Sequence, residues 1–268
     1  MKKDNIILSV KNLTYKKILN DVSFDIKTGD FVSISGSNIC GKTTLIKILS
    51  GLICVDNAVF YNDKLLESIN KTKLFSEFGI VLINDKFNFI FDNVKDEIMF
   101  VLNNLNLGEE EKKDQYNFII KLLGLSKFQK SNPNYLSRGE KILVLLALAV
   151  VHNPKVLFLD DASNMMSKEE RKHFLEILHF FNSEFGTTII MATTKLDETL
   201  DTDYLYLFDN GSLVLSGMPL DVLKEDNVIN KLGLSMPFML DLSIKLKDYE
   251  LIDELSLDME GLVDILWK

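Results

Sequence analysis

The sequence predicts an α/β chain with an antiparallel β portion at its N-terminus and a small helical extension at its C-terminus. Three observations carry that reading. A glycine-rich loop, Gly36-Ser37-Asn38-Ile39-Cys40-Gly41-Lys42-Thr43, lies between a β-like run and a helical pattern. Residues 156–159 and 188–192 are continuous apolar runs bounded by polar residues, the pattern of strands buried on both faces of a parallel sheet. Between them residues 168–184 read as a helix, which completes a strand–helix–strand unit.

The elements follow in order. Residues 6–10, 22–26, 31–35 and 58–61 are short β-like runs, and Gly29-Asp30 predicts a hairpin turn between the second and third. Residues 42–52 place Leu45, Ile46, Ile48, Leu49 and Leu52 at helical spacing, and Ser50-Gly51 ends that helix. Residues 79–83 form a short buried strand. Helices are expected over 94–104 and 109–123, the second opening on Glu109, Glu110 and Glu111, which suit the positive end of a helix. Residues 137–151 form a helix whose apolar C-terminal half must be buried. Asn210-Gly211 between runs 204–208 and 213–215 is a strong hairpin signal. No internal repeat, low-complexity tract or long linker is present.

Composition bounds the function. The 268 residues suit one large domain, 1–220, with an appendage, 221–268, and a helical subdomain at about 86–150. An apolar content of 47% excludes disorder. A net charge of −9 argues against a nucleic acid partner, and residues 221–268 carry 5 Lys against 11 acids. Two cysteines, Cys40 and Cys54, make no disulfide framework and suit a reducing cytoplasm. The longest apolar run, 142–151, is half of the about 20 residues a spanning helix needs, and no signal sequence is read. The chain is thus expected neither to be secreted nor to span a membrane by itself, which leaves peripheral attachment open. The three histidines, His152, His173 and His179, lack ligand-like spacing and read as surface or helix-face residues.

The loop matches G-x-x-x-x-G-K-[ST], which chance gives in about one chain of this length in a hundred. Its flanking strand and helix make the match specific. Successive backbone N–H groups form an anion-binding concavity, reinforced by the following helix. Lys42 is placed to reach β- and γ-phosphates and the Thr43 hydroxyl to ligate Mg²⁺, with Thr44 continuing the helix start. A metal-bound triphosphate also needs a carboxylate at the end of a neighbouring buried strand, and Asp160 supplies it. Cys40, beside a helix N-terminus, reads either as a thiol of lowered pKa or as a small side chain tolerated in the loop.

Between the loop and Asp160 stands Leu136-Ser137-Arg138-Gly139-Glu140. A phosphate loop, an L-S-G-G-Q-like pentapeptide and a strand-end Asp, in that order, resemble the ABC-type ATPases. The segment Leu232-Gly233-Leu234-Ser235-Met236-Pro237-Phe238 and the ending around Trp267 resemble the C-terminal extension of energy-coupling factor (ECF) transporter ATP-binding subunits. The resemblance implies ATP and Mg²⁺ as cofactors, a nucleotide sandwiched between the phosphate loop of one subunit and the signature pentapeptide of another, and membrane-embedded transporter subunits as partners. It also implies a location on the cytoplasmic face of the membrane.

Against that family pattern the chain departs at defined positions. Asp161 stands where a Glu polarises the attacking water, Ile83 where a Gln is expected, and Thr194 where a switch His is expected. The dimer-facing loop Ala162-Ser163-Asn164-Met165-Met166-Ser167 lacks its final Asp, Ile39-Cys40 replace smaller residues, and Arg138 and Glu140 replace Gly and Gln. The resemblance places Tyr15 against the adenine ring, with a core aromatic as the alternative. It places Phe87, Phe89, Ile90 and Phe91 at a groove for a helix of the membrane subunit, again with core as the alternative. Met259, Leu262, Val263, Leu266 and Trp267 form one apolar helical stripe, which either folds back or pairs with another ATPase. The expected function is the ATP-binding subunit of an ECF-type importer of a vitamin or metal ion, an ABC-type ATPase whose own site turns over poorly. A nucleotide-gated structural subunit is the alternative. A soluble translation or repair protein fits poorly, because the chain has neither a tandem ATPase domain nor a coiled-coil insertion. The second ATPase is expected to form a hetero- or homodimer with this one.

Overall fold

The computed structural model describes residues 5–267 apart from 84–86 and 88. An antiparallel sheet of β1 (Ile6–Tyr15), β2 (Leu19–Lys27), β4 (Val59–Tyr61) and β5 (Lys64–Leu65) runs in the order β2-β1-β4-β5. A second sheet begins with β3 (Phe31–Gly36), all six of whose residues are buried, followed by α1 (Lys42–Leu49). Helix α2 (Lys71–Glu77) leads into β6 (Phe78–Leu82), and α3 (Val94–Asn103), α4 (Glu109–Leu122) and α5 (Arg138–Val150) form the helical region. Its expected start at residue 86 lies outside the described residues. Strand β7 (Val156–Asp160), α6 (Lys168–Phe185) and β8 (Thr188–Ala192) realise the expected parallel unit.

The hairpin of β9 (Tyr204–Asp209) and β10 (Ser212–Gly217) turns on Asn210 and Gly211, both at positive φ, as such a two-residue turn demands. The order is β10-β9-β3-β8-β7-β6, with every pair parallel except the hairpin. Four short helices close the chain: α7 (Pro219–Leu223), α8 (Asp226–Lys231), α9 (Phe238–Asp248) and α10 (Met259–Leu266).

The expected hairpin at Gly29-Asp30 is overturned: β2 pairs with β1, whereas β3 pairs with β8 and β9. Strand β3 is buried on both faces, which an edge of a half-exposed sheet cannot provide, so the turn instead carries the chain from one sheet to the other. Gly29 takes φ +79° there, and its N–H donates to Thr188 Oγ1 at 2.9 Å.

Three apolar clusters hold these layers. One joins the antiparallel sheet to α1 and one face of the parallel sheet, with Phe78 and Phe158 in edge contact at 5.1 Å. A second packs α3, α4, α5 and α6 on the opposite face. The third joins β9 to α7, α8 and α9 through Leu205, Leu207, Val222, Leu223, Ile229 and Leu240, so α7 spans the expected division at residue 220. In α10 only Leu262 is buried, whereas Met259, Val263, Leu266 and Trp267 stand exposed.

Candidate functional site

The parallel register aligns Leu82, Asp160 and Ala192 on adjacent strands, so the residues that follow emerge together at one edge of the sheet. The phosphate loop leaves β3 at that edge. Gly36 has φ +151° and a Cβ there would sit 2.1 Å from Phe208 O, so only glycine lets the chain pass. Gly41, at φ +102°, opens α1 beneath Ile18 and Leu19. Lys42 is buried and its Nζ donates to Gly36 O and Ser37 O, each at 2.9 Å, which sets the ammonium inside the loop. Cys40 is buried, with Sγ 3.7 Å from that Nζ.

Thr43 Oγ1 donates to Asp160 Oδ1 at 3.1 Å, so the two expected metal ligands already meet. Burial, aided by the charge of Asp161, pushes the Asp160 carboxyl above its ordinary range; the Thr43 bond, Lys47 and Lys42 oppose it. A buried, hydroxyl-paired carboxylate short of positive charge fits a divalent cation. Asp161 follows at φ +49°, a conformation Asp tolerates better than most residues, and its Oδ1 is buried with no hydrogen-bond partner among the described residues.

A cavity of about 500 Å³ opens over the loop, lined by Asn38, Ile39, Gly41, Lys42, Thr43, Thr44 and Asp161. Lys17 and Ile18, which the sequence did not single out, and Asn210 and Gly211, read there only as a turn, complete it. Their approach is dictated by the hairpin: Asn20 Nδ2 donates to Asn210 O at 3.0 Å, and Gly211 approaches Ile18 so closely that a Cβ would lie 2.1 Å from its carbonyl. Tyr15 lies at the end of β1, half-buried against the first cluster with Lys16 Nζ 5.0 Å from its ring centre, and does not line this cavity. A second cavity of about 310 Å³ shares Asn38 and is lined by Ser37, Thr194, Lys195 and residues 232–235 of the C-terminal extension. Thr194 therefore does face the loop. Ile83 instead packs against the helical cluster.

The pentapeptide opens α5 and lines neither cavity. Ser137 and Glu140 cap the helix reciprocally: Ser137 N donates to Glu140 Oε2 at 2.9 Å and Glu140 N to Ser137 Oγ at 3.2 Å. Arg138 is exposed, and Gly139 is buried against Glu170, whose Oε1 would lie 2.5 Å from a Cβ. The aromatic segment is ordered by a side chain that sequence reading missed: the buried Glu97 carboxylate accepts from the N–H groups of Ile90 and, at 2.7 Å, Phe91. Phe87 and Phe89 stack with ring centres 6.3 Å apart, while Ile90 stands exposed.

The model of the ABC transporter family matches residues 19–164 of this sequence. The chain belongs to the ABC transporter family. Among its relatives, the energy-coupling factor transporter ATP-binding protein EcfA1 of Mycoplasmopsis pulmonis is 31% identical over 91% of this chain and 95% of its own length. EcfA1 of Staphylococcus aureus strain MSSA476 is 29% identical over 99% of this chain and 100% of its own. The solved structure of cbiO1 from Clostridium perfringens, described as part of the ABC transporter complex cbiONQ, is 28% identical and superposes with a TM-score of 0.76. It covers 89% of this chain and 98% of that one. The ABC ATPase fold accounts for both sheets and the helical region, and the similarity to these relatives extends through the C-terminal helices.

Proposed function

We propose that this chain is the ATP-binding subunit of an ECF-type importer, held peripherally at the cytoplasmic face of the cell membrane. It couples Mg-ATP to uptake of a vitamin or metal ion. The reading rests on one contrast. The parts that hold a nucleotide are assembled: the loop from Gly36 to Thr44, the buried Lys42, and Thr43 bonded to Asp160. The three positions that place and activate water carry the shorter acid Asp161, the core-packed Ile83 and the hydroxyl of Thr194.

A bound metal ion would supply charge compensation to the phosphates, and Thr43 and Asp160 are the residues that would hold it. Lys42 supplies a fixed ammonium and the loop N–H groups an anion cradle. Asp161 can orient water but is one methylene short, and a displacement of about 1 Å costs on the order of 10²-fold in rate. The site therefore binds well and turns over slowly.

A homodimer would carry the same three replacements at both sites, whereas a heterodimer with a second, less degenerate ATPase confines them to one. Ser137, exposed at the start of α5, with Gly139 buried beside Glu170 two residues on, would then complete the partner's site, and the exposed face of α10 would extend the contact between the two ATPases. The aromatic segment ordered by Glu97 would meet the membrane-embedded subunits. A fluorescent ATP analogue should bind the purified chain and lose affinity in Lys42→Ala; unchanged affinity sinks the site. Hydrolysis by the chain alone should be slow, and Ile83→Gln, Asp161→Glu and Thr194→His together should restore more than the sum of the single changes. Co-purification should recover the second ATPase, and full transport by homodimers alone would overturn the pairing.

A further inference from the structure

Beyond the cavity lies a polar cluster that the nucleotide-holding residues do not use. Glu198 is buried in the segment after β8, with Ser163 Oγ donating to its Oε1 and Thr193 Oγ1 to its Oε2 at 2.7 Å. Arg171, on α6, places Nε 3.4 Å from Oε1. One carboxylate thus joins the loop that follows β7 to the segment that follows β8. Two cations secure the same loop by its backbone. Lys195 Nζ donates to Ser163 O at 3.4 Å and Asn164 O at 3.5 Å, and Arg171 Nη2 to Met166 O at 3.5 Å. The Lys195 N–H also donates to Thr193 Oγ1 at 3.1 Å.

We infer that Glu198, Arg171 and Lys195 form a latch that sets the dimer-facing loop 162–167 against the segment 193–195, making Lys195 and Glu198 positioning residues for turnover. The inference rests on the ABC ATPase reading, which makes loop 162–167 the face toward a second subunit. The latch touches both sides of the site. Thr194, between Thr193, which bonds Glu198, and Lys195, which grips the loop, lines the cavity next to Ser37 and Asn38 of the phosphate loop. Asp161, immediately before the gripped loop, lines the neighbouring cavity. A shift of the loop on contact with a partner breaks or strengthens the Ser163 bond, and Glu198 passes that change to Thr193 and so to Thr194. Contiguous hydrogen bonds between two elements are the physical means by which such a change travels.

Lys195 is the informative member because it is only partly buried and reaches backbone carbonyls rather than a carboxylate. Burial, and then the charge of Arg171, hold its ammonium below the ordinary lysine range, against the pull of Glu198 and Asp161.

The test uses the complex purified through a tag on this chain, comparing wild type with Lys195→Met, Lys195→Arg and Glu198→Gln. Hydrolysis is read at this chain's own site, in a complex whose second ATPase carries an inactivated phosphate loop, and gives kcat and KM; the isolated chain gives the dissociation constant of a fluorescent ATP analogue and the melting temperature. Lys195→Met should lower kcat about tenfold while KM and the analogue affinity stay within about twofold. Lys195→Arg should recover most of the loss. Glu198→Gln should act in the same direction, and if it fails to fold, the lysine pair carries the test. A fall in kcat below about threefold, or one matched by equal loss of analogue affinity, overturns the latch. Failure of the wild-type chain to bind the analogue at all would instead remove the ATP-binding reading beneath it.

Discussion

Replacing Ile39 with glycine should raise the melting temperature of the ligand-free protein, although it deletes a large apolar side chain. Ile39 sits at φ +67° and is fully exposed. A residue with a Cβ in the left-handed region costs about 1–2 kcal/mol, and a β-branched residue is rarely found there at all. Because the side chain is in solvent, its removal forfeits no buried area, so the usual large-to-small penalty vanishes. Glycine's extra freedom in the unfolded chain subtracts about 0.5–1 kcal/mol. The balance favours glycine by roughly 0.5–1 kcal/mol, a rise of about 2 °C for a chain of this size. Ile39→Ala keeps the Cβ and the strained φ and so should gain little. Thermal unfolding followed by circular dichroism reads both. A lower melting temperature in Ile39→Gly, or an equal gain in Ile39→Ala, would refute the strain argument.

Three further outcomes follow from single contacts. Asp160→Asn should stabilise the ligand-free protein at neutral pH while weakening Mg-dependent binding of an ATP analogue. Burial raises the folded carboxyl above its unfolded value of 3.8, so wild-type stability from this group falls as pH rises through that interval, and the variant lacks that limb. Gly139→Ala should push the Glu170 carboxylate off Ser167 N, the 2.8 Å half of the cap on α6, and so stabilise by clearly less than the about 1 kcal/mol that alanine gains over glycine in a helix, as a denaturant titration would show. His152, held below its ordinary range by burial with Nε2 3.1 Å from Phe78 O, should make the protein less stable as pH falls below about 6.5. The unfolded chain then takes up a proton that the folded chain refuses, and His152→Asn should flatten that loss in melting curves run from pH 7 to 5.

What the sequence disclosed depended on whether the signal was local. The phosphate loop, Asp160, the buried strands of the parallel sheet and the Asn210-Gly211 turn were all legible, because each is fixed by residues adjacent in the chain. The turn at Gly29 was misjudged because turn chemistry says that the chain reverses, not which sheet receives it. Helix α2 was missed, since Lys71–Glu77 buries only Leu74 and shows no apolar stripe. Glu198 and Glu97 were missed for a different reason. Each is one acid among several in a polar stretch, and only the fold reveals that its carboxylate is buried on donors far along the chain or on a neighbouring loop. Lys17 and Ile18 joined the cavity through an interaction with residues 210–211, nearly two hundred positions away.

The shared register of Leu82, Asp160 and Ala192 separates what the fold fixes from what it leaves free. Up to that row, β7 and β8 are locked by ladder bonds on both sides and β6, at the edge, by those to β7, so a replacement there is felt in the neighbouring strand. Ile83, Asp161 and Thr194 all lie one or two steps past it, where the strands end, although the Asp161 N–H still donates to Ala192 O at 2.9 Å. Substitution there perturbs little besides the chemistry of the site edge. Residues past the row can therefore vary without unfolding the sheet, whereas the phosphate loop and Asp160 are held by the strands that they end.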